Sequence, residues 1–414
     1  MAEHMINFAI KTFGCKVNHY NSQLLLEYLL SSGFYINYAD QFIDLLIVNS
    51  CVVTKNAEKE VLRFCKKKIA DKRKLIVYGC ASSELKDDLN KMGILFESYD
   101  EIIKILIPDK IQKTNPISRI SGFQDRTRVF VKVQSGCNQY CSYCIVPIVR
   151  GSFESRSKYE IISEVKKIVE AGYKEIVLTG TQIGLYQDIY SQNSSLLDLM
   201  IELENAFHKD LFRIRISSIG PTFISREMIS FLHSSTLFCN HMHISLQSGS
   251  NDILKKMNRK YSAESYYDLT DQLKKAKQGF CISTDIIVGF PGETEEDFNK
   301  TINLCKKIQF SKIHVFPYSP RLGTAAYQFD SRFSPGVVKK RTSDLLELSK
   351  TLSYNVKQEF VGKNVEVLVE EDSSGYTTNY LRVVLQNRDN RKGQLASVSV
   401  GSCDAEALYE SNLT

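Results

Sequence analysis

Three times in the first eighty residues a short apolar run gives way to a cysteine. Phe8-Ala-Ile-Lys11 leads to Cys15, Leu45-Leu-Ile-Val48 to Cys51, and Leu75-Ile-Val-Tyr78 to Cys80. Helical patterns lie between them, over Asn18–Ser32 with Leu24, Leu25, Tyr28 and Leu29 as the apolar face, and over Ala57–Ala70. Short apolar strands alternating with helices predict a parallel sheet. In such a sheet every strand's carboxyl end lies on one edge, where ligands bind. Three cysteines far apart in sequence therefore meet at one place.

The alternation resumes after a segment with Pro108, Pro116, Ser118, Ser121 and Gly122. Six strands are predicted there: Val129–Gln134, Glu175–Thr179, Arg213–Ser217, His241–Leu246, Ile282–Val288 and Lys312–Phe316. Helical patterns separate them, including Tyr159–Ala171, Tyr266–Lys277 and Glu295–Ile308. Six β/α units predict an open, partial barrel whose reactive end is where the strands finish. From about Val356 short β-like runs take over, Val365–Glu370, Tyr380–Leu385 and Gln394–Val400, with Gly375, Asn387 and Gly393 at turns. They predict a small β-barrel. The fold class is thus α/β, with expected domains at 1–110, 125–354 and 355–414 and a linker at 111–124.

A chain of 414 residues has room for two or three such cores. With 43% hydrophobic and 24% charged residues it reads as globular. No apolar stretch reaches the roughly 20 residues of a membrane span, and no signal peptide opens the chain, so a cytoplasmic protein without a membrane partner is expected. In that reducing setting eleven cysteines point to ligation where they cluster and to buried small hydrophobes where they scatter. Cys65, Cys239, Cys281, Cys305 and Cys403 show no ligand spacing and are read as structural. The net charge of +6 permits nucleic-acid binding without demanding it. The basic runs Arg63–Lys74 and Lys255, Lys256, Arg259, Lys260 read first as solvated helix faces.

The densest chemistry is Gly136-Cys137-Asn-Gln-Tyr-Cys141-Ser-Tyr-Cys144, directly after the first barrel strand. Three cysteines at C-x3-C-x2-C can each bind one iron of a cubane cluster, whereas the common pattern supplies four. The fourth iron is left open to bind and reduce a small molecule. Zinc with a fourth ligand from elsewhere is the alternative, although zinc ribbons usually show two paired C-x2-C knuckles.

This motif at the head of a β/α barrel resembles the radical S-adenosylmethionine (SAM) superfamily. The resemblance implies that the open iron chelates SAM and that electron transfer yields a 5′-deoxyadenosyl radical. With Cys15, Cys51 and Cys80 added, the chain is similar to methylthiotransferases nearly throughout. Taken singly, each of those three reads as a buried thiol. The likeness implies a second [4Fe-4S] cluster on them, a C-terminal barrel like the RNA-binding TRAM domain, and SAM as co-substrate. Within the family it is most similar to the branch that acts on N6-threonylcarbamoyladenosine at tRNA position 37. That likeness rests on Gly14-Cys-Lys-Val-Asn-His-Tyr20, Cys51-Val-Val-Thr54, Asp125-Arg-Thr-Arg128, Ile216-Ser-Ser-Ile219, Leu246-Gln-Ser-Gly-Ser250, Asp285–Thr294, Phe316-Pro-Tyr-Ser319 and Gly375-Tyr-Thr-Thr-Asn-Tyr380. Pro221 and Leu322 depart from the family pattern, away from the cysteines. Sister branches modify isopentenyl-adenosine in tRNA or an aspartate of a ribosomal protein.

The implied reaction uses two SAM molecules, one to methylate a cluster-borne sulfur and one to generate the radical that takes hydrogen from carbon 2 of adenine. Partners would be the tRNA anticodon loop, a reducing electron donor and a sulfur source. No catalytic residue beyond the cluster ligands is singled out. Candidates for contact with SAM are Thr179, Gln182, Ser217, Gln247 and Asp285, at or near strand ends, where turn and capping roles are the alternative. Arg150 and Arg156 flank Gly151 and suit an anion or a structural ion pair. His241 and His243 share a strand face and read as satisfied histidines ahead of metal ligands. From Asn355 onward six Lys and Arg face nine Asp and Glu, a net of −3, so the C-terminal barrel is a weak RNA clamp outside a basic stretch such as Arg388–Lys392. A rival of another class is a non-catalytic iron–sulfur RNA-binding redox sensor, which needs one cluster and no SAM cleavage.

Overall fold

The computed structural model describes residues 6–37, 43–69, 74–107, 119–123, 126–190, 194–207, 211–330, 333–371, 373–386 and 391–411. Of the predicted linker at 111–124 only 119–123 are among these residues, and Asp125, Asn387 and Arg388 lie outside them. The chain opens on a parallel five-stranded sheet of β1 (Asn7–Thr12), β2 (Tyr35–Ile36), β3 (Leu45–Ser50), β4 (Lys74–Gly79) and β5 (Leu95–Phe96). Its order is β2-β1-β3-β4-β5. Central β3 is buried at every position, as an aliphatic run covered on both faces requires. Helices Lys16–Ser31 and Lys55–Ile69 begin two residues earlier than the periodicity predicts. Two further helices, Ser83–Lys91 and Tyr99–Leu106, start from Ser82 and Ser98, whose hydroxyls accept from the backbone N–H three residues on.

The barrel strands are β6 (Arg128–Lys132), β9 (Glu175–Thr179), β10 (Arg213–Ile216), β11 (His241–His243), β12 (Cys281–Val288) and β13 (Lys312–Pro317). Between the first two, β7 (Gln134–Ser135) and β8 (Glu154–Ser155) pair antiparallel and staple the base of the cysteine loop. The barrel forms as two three-stranded parallel sheets, β10-β9-β6 and β11-β12-β13. Single parallel bridges such as Ile214 to Phe238 and Ile219 to Ile244 join them. β11 therefore ends at His243 and not at Leu246, because Ile244 and Gln247 pair singly with different neighbours. Helix Lys16–Ser31 lies against β6. Its buried Tyr20 donates to Glu164 at 2.9 Å, and Lys132 donates to Asn21 at 2.9 Å. That contact sets the N-terminal sheet beside the barrel mouth.

Helix Pro335–Gln358 contains the expected seam at 354/355 and leads into a closed barrel. Its strands are β14 (Asn364–Glu371), β15 (Ser374–Thr377), β16 (Arg382–Val384), β17 (Leu395–Cys403) and β18 (Leu408–Glu410), in the order β14-β15-β16-β18-β17. Gly375, expected at a turn, lies inside β15. A Cβ there would stand 2.1 Å from the Leu368 carbonyl oxygen, so glycine is needed for the close strand pairing. No helix among the described residues is long and apolar enough to cross a membrane.

Candidate functional site

Gly136, with φ +71°, turns the chain out of β7 into the first cysteine loop, and a Cβ there would fall 1.9 Å from the Ser152 carbonyl oxygen. Gln134 donates through Nε2 to the carbonyls of Ser135 and Gly136, at 2.7 and 2.6 Å. The loop's middle is held from across the barrel. Ser142 donates to the Lys256 carbonyl at 2.8 Å, and Asn258 donates to that of Tyr140 at 2.9 Å. Cys137, Cys141 and Cys144 thus sit on a clamped loop. Burial raises the Cys144 thiol to about 12, and the neighbouring Cys141 and Cys137 push the same way. Arg259 opposes them, donating through Nη1 to Cys141 Sγ at 3.1 Å.

Cys15, Cys51 and Cys80 follow β1, β3 and β4 at one sheet edge. Gly14 makes the room: at φ +94° it carries no Cβ, and one would lie 2.6 Å from Cys51 Sγ. Burial raises Cys51 to about 11, with Cys15 and Cys80 adding to the rise. Arg150, at the end of the short helix Val146–Arg150 that follows the first cysteine loop, reaches this edge. It donates through Nε to Cys80 Sγ at 3.0 Å, through Nη2 to Cys15 Sγ at 3.6 Å, and also to Asn18. One arginine therefore ties the loop of one cysteine triplet to the thiols of the other.

Three cysteine sulfurs with an arginine beside them are a donor set for a thiolate-bound metal group, since the thiolate is the metal-binding form and a neighbouring cation favours it. Cys51 and Cys80 are buried, Cys137, Cys141 and Cys144 half-buried and Cys15 exposed. Among the described residues no group of three His, Cys, Asp or Glu is placed to hold a single metal ion.

The SAM candidates fall in two groups. Thr179, at the end of β9, is buried, and Gln182 accepts from the Gly220 N–H at 3.1 Å. Ser217 Oγ and the nearby Thr181 Oγ1 are buried without a partner, as expected of donors facing a polar ligand. Gln247 adopts φ +72° and its N–H bonds the Asp285 carbonyl. Asp285 carboxylate meets His243 Nε2 at 3.0 Å. Burial works against that carboxylate, yet His243, His314 and Ser245 hold it below its usual range. These side chains set hydrogen-bonding groups at and near the strand ends.

Other sequence candidates have structural partners. Arg156 pairs with Glu164 at 2.7 Å and Tyr20 at 2.9 Å, an ion pair and not an anion site. His241 and His243 both bond Ser283 Oγ, at 2.9 and 3.0 Å. Cys65, Cys239, Cys281 and Cys305 are buried, and Cys403 is half-buried. Sequence reading missed three residues. Gly14 was signalled only by its place before Cys15, Arg259 was hidden in a basic cluster, and Asn18 was hidden in a helix start.

Comparison with known proteins agrees with this geometry. Residues 131–305 match the model of the radical SAM superfamily, and residues 7–97 match that of the uncharacterized protein family UPF0004. A radical SAM methyltransferase, TsrM from Kitasatospora setae, superposes with a TM-score of 0.55 at 14% identity, over 75% of this chain and 72% of that one. The fold and site thus define a radical SAM protein. The threonylcarbamoyladenosine tRNA methylthiotransferases MtaB of Bacillus subtilis and Thermotoga maritima are 34% and 36% identical. The alignments span 96% of this chain and 94% and 95% of those proteins. The tRNA-2-methylthio-N(6)-dimethylallyladenosine synthase of Thermodesulfovibrio yellowstonii is 34% identical over 96% of this chain and 97% of its own. The chain belongs to the radical SAM methylthiotransferase family.

Proposed function

We propose that this enzyme methylthiolates carbon 2 of N6-threonylcarbamoyladenosine at position 37 of tRNA, using SAM and two [4Fe-4S] clusters. In this reading Cys137, Cys141 and Cys144 hold one cluster and Cys15, Cys51 and Cys80 the other. The division of labour follows the expected domains: 1–110 for the second cluster, 125–354 for SAM and the first, and 355–414 for an RNA-binding barrel. When bound, the clusters and SAM supply one-electron chemistry strong enough to remove an unactivated hydrogen, together with the sulfur to replace it.

The chain's own residues do the positioning. Gly14 leaves space for Cys51 beside Cys15. Arg150 and Arg259 each bring a cation to cysteine sulfur, offsetting thiolate charge at partly buried positions. Ser142 and Asn258 fix the loop, so that the open side of each site is set by the fold. Thr179, Gln182, Ser217, Gln247 and Asp285 are the groups available to orient SAM. An anticodon-loop base suits the site because it can be splayed from its neighbours.

The observation that carries the reading is Arg150, whose guanidinium spans from one cysteine loop to the thiols of the other. Sulfur and radical have to meet at one base, and this contact supports two sites that face each other. The substrate assignment draws on the relatives named for threonylcarbamoyladenosine. The relative named for dimethylallyladenosine supports the alternative at equal identity. An electron donor and a sulfur source are required in either case. Mass spectrometry of tRNA nucleosides from a deletion strain separates the two. Loss of 2-methylthio-N6-threonylcarbamoyladenosine, restored by the cloned chain, is expected. Its persistence, or loss of the isopentenyl analogue instead, overturns the assignment.

A further inference from the structure

Below the strand ends lies a cavity of about 330 Å³, between the inner face of β11, β12 and β13 and the C-terminal barrel. The Gly375–Tyr380 stretch forms one wall. Arg213 donates to the Tyr376 carbonyl at 2.7 Å, and Arg215 donates to that of Thr377 at 3.1 Å. Those bonds hold the rings of Tyr376 and Tyr380 5.1 Å apart, with Tyr380 also 5.1 Å from the ring of His241. Cations also line the cavity, Arg382 from the strand paired with Tyr376 and Lys312 from β13. Neither makes an ion pair or side-chain hydrogen bond with another described residue. Buried Lys357 donates only to neutral oxygens, Ser353 Oγ at 2.5 Å and the Ala405 carbonyl at 2.7 Å. Glu406 is the one carboxylate among the lining residues, against these three cations. His241 Nδ1 is buried without a partner, while Nε2 is used by Ser283.

Aromatic rings beside cations that have no ion-pair partner among the described residues fit a planar group that carries a negative charge. We propose that this cavity receives the amino-acid substituent of the modified adenine, with Lys312 and Arg382 binding its carboxylate. The inference rests on the substrate reading above and names the residues that would make it specific. The substituent is carried on N6; carbon 6 and carbon 2 flank N1, so the bonds that leave the ring at these two carbons diverge. A base presenting carbon 2 to the cysteine-bearing ends can thus turn its substituent toward the barrel interior. His314, on the cavity wall, lies three residues before the end of β13. That is roughly 10 Å at about 3.3 Å per residue, comparable to a purine with an extended arm. An isopentenyl group has no charge. Seated here it would leave Lys312 and Arg382 without a partner, and sites built for a polar substituent reject analogues that lack it.

The test is fluorescence anisotropy with the anaerobically reconstituted full chain and two anticodon stem-loops, one carrying N6-threonylcarbamoyladenosine and one carrying plain adenosine. Wild type is expected to prefer the modified loop by about tenfold or more. Lys312→Gln and Arg382→Gln should each lose most of that preference while binding plain loop unchanged, and Lys312→Arg and Arg382→Lys should keep it. The charge-keeping variants and circular dichroism guard against misfolding. Equal weakening toward both loops assigns the cations to backbone phosphate and overturns the proposal, as does an unchanged preference. A wild-type chain that restores the methylthiolated nucleoside in cells yet binds both loops equally overturns the cavity alone. A chain that fails to restore it overturns the substrate reading, and the cavity with it.

Discussion

Arg150 and Gly14 act on single atoms of the second cysteine set. Replacing Arg150 by Gln removes a cation held 3.0 Å from Cys80 Sγ. Since about 1.4 kcal/mol corresponds to about 59 mV in a one-electron couple, the cluster proposed on Cys15, Cys51 and Cys80 should fall in midpoint potential on the order of 50 mV. The other cluster should not move. Electron paramagnetic resonance during a redox titration reads both, and a Lys replacement should recover part of the shift. Gly14→Ala has a coarser effect, because its Cβ would stand 2.6 Å from Cys51 Sγ at a φ of +94°. Iron per chain should drop by about half with the circular dichroism unchanged. The cysteines were legible because spacing and position after strands are sequence properties. Arg150's partners were not, since they lie 70 and 135 positions away and only the packing of helix Lys16–Ser31 on β6 brings them near.

Elements join through buried charge. Arg321, on the loop after β13, is 1% exposed and bonds Glu58 of helix Lys55–Ile69 at 2.8 Å. Glu58 also accepts from Ser82, just past Cys80. Arg321→Met leaves that carboxylate buried without its cation, a change that typically costs about 3–5 kcal/mol. Urea unfolding should show that loss, and adding Glu58→Gln should return much of it. A double variant as unstable as the single one contradicts this role. Strands with aliphatic runs and helices with long apolar faces were readable. The two-residue edges β2 and β5 carry too few residues to show a period. β15 was hidden by Gly375, whose turn-like identity reflects close strand contact. The length of helix Pro335–Gln358 was hidden by its polar faces.

At the scale of the molecule, Glu175 organises the floor of the barrel. It bonds Arg213 at 2.7 Å and Arg215 at 2.8 Å, and those arginines in turn hold the backbone of β15 and the turn after it. Burial alone would raise its carboxyl, but Arg215 and Arg213 outweigh burial and hold it at about 2, below 4.5. Stability from this group is therefore complete above about pH 4.5 and is lost as pH falls through about 2. Glu175→Gln should be less stable at neutral pH by about 3–5 kcal/mol and should show a flatter stability profile across that acid window in thermal melts. An unaltered slope contradicts the pairing. The order of the three units was legible from composition and period. The docking of the third was not, because its net charge of −3 describes the whole segment, while the contacts are particular pairs far apart in sequence: Glu370 with Arg128, Glu366 with Arg213, and backbone carbonyls and the Tyr380 ring with Arg213 and Arg215.

Iron and acid-labile sulfide in anaerobically purified chain, with each cysteine triplet changed to alanine in turn, test the central claim most directly. About eight irons are expected in the wild type and about four in either triple variant, with SAM cleavage surviving only where Cys137, Cys141 and Cys144 remain. A wild type holding about four irons, and a Cys15, Cys51, Cys80 variant holding the same, would contradict it.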